Sequence, residues 1–446
     1  MSKQTKSKAQ GSVFELTGTP PMGQAVPLAL QHVVAMIVGC VTPAIIAGNA
    51  GNLSPEDKVL LIQSSLLIAG IATIIQLYPI GKKWFRISSG LPVILGASFS
   101  YLALLQTIAQ EFSIATIMGA QICGGIAVII VGIFIKKLRR FFPPLVAGTV
   151  VFTIGLSLYP TAINYMAGGT GSETYGHWQN WLVAIITLVV VTTLNHFGKG
   201  IFKLASILFG IIVGYIVALC FGMVDFAKVA SAGWFQVPEP LHFGIAFDPS
   251  PIVSMVILFI VNAVQAVGDF SATTMGGLDR EPTDDELSGG IIGSGLSSLV
   301  SSVMGGLPCA TYSQNVGIVA TTKVVNRVVF SIAAILILVA GLIPKFSGIL
   351  TTIPQCVLGG ATISVFASIT MTGIKLITTE EMNYRNTSIV GLAVAVGMGV
   401  TSAPESLAMF PDWVTLVFGK SAVVLATIIA ITLNLIIPKP KKASKR

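Results

Sequence analysis

Long apolar runs separated by short polar connections dominate the chain from residue 27 onward. A helix needs about 20 mostly apolar residues to cross the hydrocarbon core of a bilayer, and a scan for such runs predicts about fourteen membrane-spanning segments. Their expected ranges are 27–47, 58–79, 91–109, 114–135, 143–163, 180–196, 203–223, 251–270, 287–304, 308–324, 327–348, 356–376, 387–403 and 420–438. Glycine and proline shorten or interrupt those at 91–109, 308–324 and 387–403. We therefore expect an all-α polytopic membrane protein.

Two short motifs recur at an offset close to half the chain. Gly-Leu-Pro at residues 90–92 returns at 306–308, and PPLVAG at 143–148 resembles PQCVLG at 354–359. A repeat of seven segments crosses the membrane an odd number of times, so its second copy must insert upside down, as in many secondary transporters. We therefore predict two inverted copies, residues 27–223 and 251–438. Chance recurrence is the alternative in a chain so rich in glycine and proline.

The composition agrees with a membrane location. Of the 446 residues, 53% are hydrophobic and 10% are charged, whereas about a quarter of residues are charged in soluble domains. The net charge of +8 does not indicate a nucleic-acid partner, because the basic residues form short clusters between apolar runs and at both ends. The five cysteines lie inside apolar runs, which favours packed core residues over disulfides or a metal site.

The positions of lysine and arginine predict the orientation. With fourteen crossings, the side that holds both termini carries all 26 basic residues except Lys58, Lys228, Lys345 and Lys420. The positive-inside rule then places the N-terminal tail, residues 1–26, and the basic tail, residues 439–446, in the cytoplasm. We expect the protein in the plasma (inner) membrane, with the basic tail close to anionic lipids.

The two segments that begin with Gly-Leu-Pro carry the first candidate binding residues. Non-helical backbone at membrane depth is tolerated only inside protein or beside a water-filled cavity, where its amide and carbonyl groups can bind a solute. The alternative is a kinked segment that binds no ligand. The polar and aromatic side chains that follow the two helix breakers are Ser98, Phe99, Ser100, Tyr101, Thr311, Tyr312, Ser313, Gln314 and Asn315.

The eighth segment carries the second candidate group. Gln265 and Asp269 are four residues apart and so face one side of a helix. Asp269 is the only acidic residue inside a predicted segment, and a carboxylate there is expensive and by default a proton relay or ion site. The alternative is a structural carboxylate bonded to a neighbouring broken helix. His32, in the first segment, is either an interhelical hydrogen-bond donor or a proton carrier.

Motifs for other chemistry are missing from the sequence. We find no metal-ligand spacing, no phosphate-binding glycine loop followed by Lys and Ser or Thr, and no nucleophile–base pair. This argues against an ATP-driven pump and against a membrane enzyme. We therefore expect neither a cofactor nor catalytic residues, and favour a carrier driven by an ion or proton gradient.

The tenth segment contains Gln-Asn-Val-Gly at residues 314–317, followed by Thr322 and Lys323. This pattern resembles the signature of the nucleobase–ascorbate transporters, the xanthine/uracil permease family. The resemblance covers nearly the whole length and implies two inverted sets of seven segments, with strand-like breaks in segments 3 and 10. The further matches are Leu-Gln-His at 30–32, Ser-Phe at 98–99, Phe-Phe-Pro-Pro at 141–144, Gly-Leu at 155–156 and Gly-Asp at 268–269.

The resemblance also implies a mechanism and a set of roles. A core domain of segments 1–4 and 8–11 would move like an elevator against a gate domain of segments 5–7 and 12–14, in a homodimer that takes up a nucleobase with protons. Phe99 would stack on the base and Asn315 would support the site. The residues implied to line the site are Ser98, Gln265, Tyr312, Ser313 and Gln314.

Two positions depart from the family pattern. Gln265 stands where relatives usually have a Glu that hydrogen-bonds the base, and Ser294 stands where the xanthine branch usually has an acid. Both changes remove a carboxylate that could bind a proton, so proton coupling would depend on Asp269, with His32 as the next candidate.

Asp269 also bears on the substrate, because it matches the purine branch of the family, whereas the uracil branch tends to have His. We therefore expect a purine such as xanthine or urate. Uracil uptake is the first alternative. An anion exchanger of the same inverted-repeat architecture is the second, and a membrane enzyme or passive channel is the third.

We predict that both termini face the cytoplasm. A reporter that is active only outside the cytoplasm should be inactive when it is fused after Arg446, because the positively charged connections stay inside. The same reporter fused after Lys345, on the opposite side, should be active. Activity of the Arg446 fusion would contradict an even number of crossings.

Overall fold

The computed structural model describes residues 11–82, 85–135, 143–226, 229, 233–411, 414–419 and 421–438. Short 3-10 turns span Phe99–Tyr101 and Pro404–Leu407, and four short strands are β1 (Ile80–Lys82), β2 (Phe85–Ile87), β3 (Leu95–Ala97) and β4 (Cys309–Thr311). The α-helices are α1 (Met22–Ala50), α2 (Pro55–Leu77), α3 (Leu102–Glu111), α4 (Ile114–Ile133), α5 (Pro144–Ser157), α6 (Tyr159–Met166), α7 (Trp178–Phe197), α8 (Ile201–Leu204), α9 (Ser206–Cys220), α10 (Pro249–Leu278), α11 (Asp284–Val303), α12 (Ser313–Thr322), α13 (Arg327–Gly341), α14 (Pro344–Thr351), α15 (Gln355–Ile377), α16 (Tyr384–Ser402) and α17 (Ala422–Ile436).

Several of these helices are long and apolar enough to cross a membrane. In the described part of the chain they are α1, α2, α4, α5 with α6, α7, α10 and α15, while α9 and α17 are shorter apolar helices. Helices α13 and α14 form one further candidate, bent by 79°. The bend falls at Pro344, which has no N–H to continue the ladder of α13. The predicted segment at 327–348 is therefore a bent pair, while the predicted helical, polytopic architecture is confirmed.

Helix α10 extends beyond the end predicted at residue 270. Its last turns contain hydroxyl side chains that bond back to the helix: Ser271 donates to the carbonyl of Val267 at 2.7 Å and Thr273 to that of Asp269 at 2.8 Å. Polar residues are thereby satisfied inside a helix, which hydropathy alone does not predict. The helix ends at Asp279, which adopts a left-handed φ of 50°.

The acidic run at residues 284–286 starts helix α11. Thr283 accepts a hydrogen bond from the backbone N–H of Glu286, and the Glu286 carboxylate accepts one from the N–H of Thr283, which forms a capping box. Arg280 donates to both carboxylate oxygens of Glu286 at 2.9 and 2.6 Å. Negative charge is also favourable at the N-terminus of a helix.

The helices pack mainly within two groups, α1–α4 with α10–α14, and α5–α9 with α15–α17. Small residues let the helices approach within the groups. A Cβ on Gly148 of α5 would lie 2.9 Å from the carbonyl oxygen of Gly373 in α15, and a Cβ on Gly295 of α11 would lie 2.7 Å from that of Gly125 in α4. Such close backbone contact is typical of membrane helices, which lack a hydrophobic driving force between them.

Strands β3 and β4 pair antiparallel inside the first group, with Leu95 opposite Thr311 and Ala97 opposite Cys309. Both follow a Gly-Leu-Pro motif. Gly90, which begins the first motif, and Gly305, which precedes the second, each have a φ of 71° that favours glycine. Strands β1 and β2 form a separate antiparallel ladder, which the sequence did not predict.

Residues 11–20 form a strap against the first group. The carbonyl of Val13 accepts from the backbone N–H groups of Val325 and Asn326, and the Asn326 side chain donates to the carbonyls of Ser12, Glu15 and Gly18. Helix α1 then begins at Met22, five residues before the predicted segment. Residues 1–10, the basic cluster within 136–140, Phe141, Phe142 and the tail 439–446 lie outside the described residues.

We predict that Gly96→Ala lowers the temperature at which the purified protein unfolds. The added Cβ would lie 2.7 Å from the hydroxyl oxygen of Tyr312, and this hydroxyl is fixed by donating to the carbonyl of Ala97 at 2.5 Å. Overpacking of this kind costs about 1–3 kcal/mol. As a control, Gly391→Ala places its Cβ in open space. Equal unfolding temperatures for the two variants would contradict this account.

Candidate functional site

A cavity of about 180 Å³ lies at the border of the two helix groups. Helices α1, α10 and α12, the turn before α3 and strand β4 contribute one wall, and α5, α9 and α15 contribute the other. The structure brings six residues that were predicted to bind substrate into the lining of this one cavity. They are Ser98, Phe99, Gln265, Tyr312, Ser313 and Gln314.

Phe99, one of two aromatic residues that line this cavity, lies two residues after the end of β3. It is 7% exposed, and its ring packs edge-on against Phe366 of α15, with ring centroids 5.5 Å apart. Ser98 caps the short turn by accepting a hydrogen bond from the backbone N–H of Ser100 at 3.1 Å. The break in the helix therefore places the ring of Phe99 in the cavity wall and fixes its position.

Two carboxamides reach the cavity from different elements. Gln265 of α10 accepts a long hydrogen bond of 3.4 Å from the Ser100 hydroxyl. Gln314, in the first turn of α12, is exposed to the cavity. In the part of the chain that the structure describes, neither side-chain nitrogen donates a hydrogen bond. Both therefore remain available to a ligand.

Tyr312 closes one side of the cavity. Its hydroxyl donates to the carbonyl of Ala97 at 2.5 Å and lies 3.2 Å from the sulfur of Cys40. A Cβ on Gly39 of α1 would lie 3.4 Å from the tyrosine ring. Glycines on α1 and β3 thus make room for this ring, and Tyr312 fixes the start of α12.

Asp269 lies behind the cavity wall, one turn beyond Gln265 on α10. It is 8% exposed and accepts hydrogen bonds from the hydroxyls of Ser313, at 2.8 Å, and Thr311. Both hydroxyl residues line the cavity, whereas Asp269 does not. The carboxylate therefore joins α10 to the junction of β4 and α12, and it is separated from the cavity by Thr311 and Ser313.

His32 and Asn315 form a separate contact away from the cavity. The Asn315 side-chain nitrogen donates to Nδ1 of His32 at 3.1 Å and to the His32 carbonyl at 3.2 Å. Both residues are 1% exposed, and the His32 ring lies 4.4 Å from that of Phe330. This geometry matches an interhelical hydrogen bond between α1 and α12, the structural alternative for His32.

The sequence did not predict the residues that the second helix group contributes to the cavity. Ser368 and Thr372 of α15 line the cavity, together with apolar residues such as Val151 and Ile207. Two hydroxyl residues spaced i, i+4 on an apolar helix lie on one face. That spacing was the available signal, but hydroxyl residues are frequent on the other helices of this chain as well.

Comparison with known proteins identifies the family. The model described as a permease family matches residues 23–406. A xanthine permease of Bacillus subtilis is 35% identical over 426 residues, covering 95% of this chain and 96% of that protein. The chain belongs to the nucleobase–ascorbate transporter family. The family predicted from the signature at residues 314–323 is therefore confirmed. The chain is a multi-pass membrane permease rather than an enzyme.

Further comparisons agree with this family. PucJ, a uric acid permease of Bacillus subtilis, is 35% identical over 416 residues, covering 92% of this chain and 91% of that protein. Among solved structures, the transmembrane domain of the cyanobacterium bicarbonate transporter BicA matches with a TM-score of 0.60, covering 92% of this chain and 98% of that chain. At 15% sequence identity the second likeness shows a shared fold alone.

Proposed function

We propose that this chain is a secondary active transporter that takes up a purine nucleobase, with xanthine and urate as the first substrates to test. The observation that carries the proposal is one small cavity without charged side chains, lined by the aromatic rings of Phe99 and Tyr312 and by two carboxamides whose nitrogens donate to no described residue. The names of its relatives, a xanthine permease and a uric acid permease, support the same substrate class.

The chemistry of the cavity suits a flat heterocycle. A purine offers two π faces, one of which can stack on Phe99. Its edge alternates N–H and C=O groups, and the carboxamides of Gln265 and Gln314 can each donate and accept. The cavity volume of about 180 Å³ is below the roughly 300–1,000 Å³ of sites for drug-sized ligands. A single base is therefore a better match than a nucleoside.

The lining of the cavity argues against the anion-exchange alternative. None of the described residues that line it is Lys, Arg or His. The shared fold with a bicarbonate transporter carries no substrate information at this identity. Uracil stays the alternative within the family, since its hydrogen-bonding edge is similar.

We propose that the two helix groups are the core and gate domains of an elevator mechanism. The core, α1–α4 with α10–α14, supplies the aromatic ring, the carboxamides and Asp269. The gate, α5–α9 with α15–α17, supplies mainly apolar side chains such as Val151, Ile207 and Val365. A ligand held by the core would have few polar contacts to break on moving past this wall, where Ser368 and Thr372 are the polar residues. The family resemblance further supports a homodimer with cytoplasmic termini in the plasma membrane.

We assign proton coupling to Asp269. Gln265 and Ser294 cannot ionise, so Asp269 is the acidic group nearest to the cavity among the described residues. A protonated carboxyl has one fewer free acceptor position, so a proton would compete with the Ser313 and Thr311 hydroxyls for the carboxylate oxygens. Protonation would therefore change the wall that contacts the base.

We predict concentrative uptake that depends on Asp269. Cells that express the protein should accumulate labelled xanthine or urate, and a proton uncoupler should abolish accumulation. Asp269→Asn should equilibrate the base without concentrating it, because the amide cannot exchange a proton. Asp279→Asn, at an exposed carboxylate paired with Lys323, should still accumulate it. Accumulation by Asp269→Asn would move coupling to another group, and chloride or bicarbonate uptake without base uptake would overturn the proposed function.

We predict that Phe99→Ala weakens base binding about tenfold, since an aromatic partner contributes roughly 0.5–1.5 kcal/mol beyond area burial. Phe99→Tyr keeps the π face and should bind nearly as well as the parent. Isothermal titration of the purified variants with xanthine measures the difference. Equal affinity of the alanine and parent proteins would show that Phe99 only packs against Phe366.

A further inference from the structure

A second, much smaller cavity lies on the other side of β4. Its volume is about 10 Å³, and it is lined by α4, α10, α11, the whole of β4 and Tyr101 in the turn before α3. Thr311 lines both this cavity and the larger one, so the strand forms the wall between them. The volume is close to that of a single water-sized probe, which is the smallest space that can hold an ordered water molecule.

Asn262 lines this space and carries an unpartnered polar group. It lies on α10 two turns before Asp269 and is 5% exposed. Its side-chain nitrogen is buried and has no hydrogen-bond partner among the described residues. A buried donor left unpaired costs about 1–3 kcal/mol. A bound molecule that accepts a hydrogen bond from Asn262 would remove this cost.

The other hydroxyl residues of the cavity are Tyr101, Ser294 and Thr311. The Tyr101 hydroxyl can either donate or accept, so it restricts the occupant least. Ser294 donates its hydroxyl proton to the carbonyl of Gly290 at 3.0 Å, and Thr311 donates its own to Asp269. Both oxygens therefore offer only lone pairs to the cavity, while Asn262 offers a proton. The occupant must donate and accept at once. Water does so, whereas a cation cannot accept from the Asn262 nitrogen.

We propose that this cavity binds one water molecule, which accepts from Asn262 and donates to the oxygens of Ser294 and Thr311. A hydrogen bond donated to the Thr311 oxygen keeps its hydroxyl proton directed at Asp269. The water thus joins the position that lacks the usual acid, Ser294, to the carboxylate of the coupling site. Asn262 is the positioning residue of this arrangement. The link between this water and transport rests on the proposed function, which assigns proton coupling to Asp269.

The presence of the water can be tested by a structural measurement that does not depend on transport activity. Cryo-electron microscopy of the purified protein, at a resolution that shows ordered water, should reveal one peak within hydrogen-bond distance of Asn262 and Ser294. Asn262→Leu has a similar volume and no polar group, and should lack the peak. An empty cavity in the parent protein would overturn the proposal whatever the substrate is.

The role of the water is tested by kinetics in the same variants. Asn262→Leu should lower the maximal rate of concentrative uptake about tenfold and change KM less than twofold, as expected for an interaction outside the binding contacts. Asn262→Thr, which keeps a donor and an acceptor, should recover most of the rate. An equal loss of maximal rate in both variants would contradict a water that positions Thr311. So would an uptake that requires Na⁺ in the parent protein and no longer requires it in Asn262→Leu.

Discussion

Backbone that leaves a helix inside a membrane must find hydrogen-bond partners within the protein, because lipid offers none. Strands β3 and β4 meet this constraint for each other: the backbone at residues 95–97 pairs with that at 309–311. The short turn after β3 carries Phe99, and the residues after β4 carry Ser313 and Gln314. The larger cavity, the position of its aromatic ring and the free carboxamide of Gln314 all depend on this one ladder.

Helix α10 completes the arrangement by contacting the ladder from the side. Gln265 reaches the turn after β3, and Asp269 binds the hydroxyls that flank the end of β4. One helix therefore contacts both interrupted segments, through an uncharged amide that lines the larger cavity and through a carboxylate that does not. The cavity lining is uncharged, and the carboxylate of Asp269 lies behind the hydroxyl residues Thr311 and Ser313.

The sequence predicts the long helices well, since apolar runs such as 114–133 are a local property. It also predicts polar residues that the first helix group contributes to the cavity, because Gln314 lies in the family signature at 314–323, and Ser98 and Gln265 lie at further positions compared with the family. It does not predict the register between Leu95 and Thr311, the hydroxyl face of α15 or the packing of the strap on Asn326. The register and the strap depend on contacts between distant parts of the chain, which no period within one segment encodes. The i, i+4 spacing of Ser368 and Thr372 is visible in the sequence, but it does not show that this face borders the cavity.

The ladder also constrains the order of events during synthesis. Strand β3 leaves the ribosome long before β4, because residues 98–308 must be made in between. At about 5–20 residues per second this interval lasts roughly 10–40 s. Throughout this interval the first interrupted segment has no partner strand. Its unpaired backbone must therefore be protected from lipid, at the edge of the insertion channel or by contact with α2. The nascent first half is therefore the stage at which quality-control proteases would have their best opportunity to act.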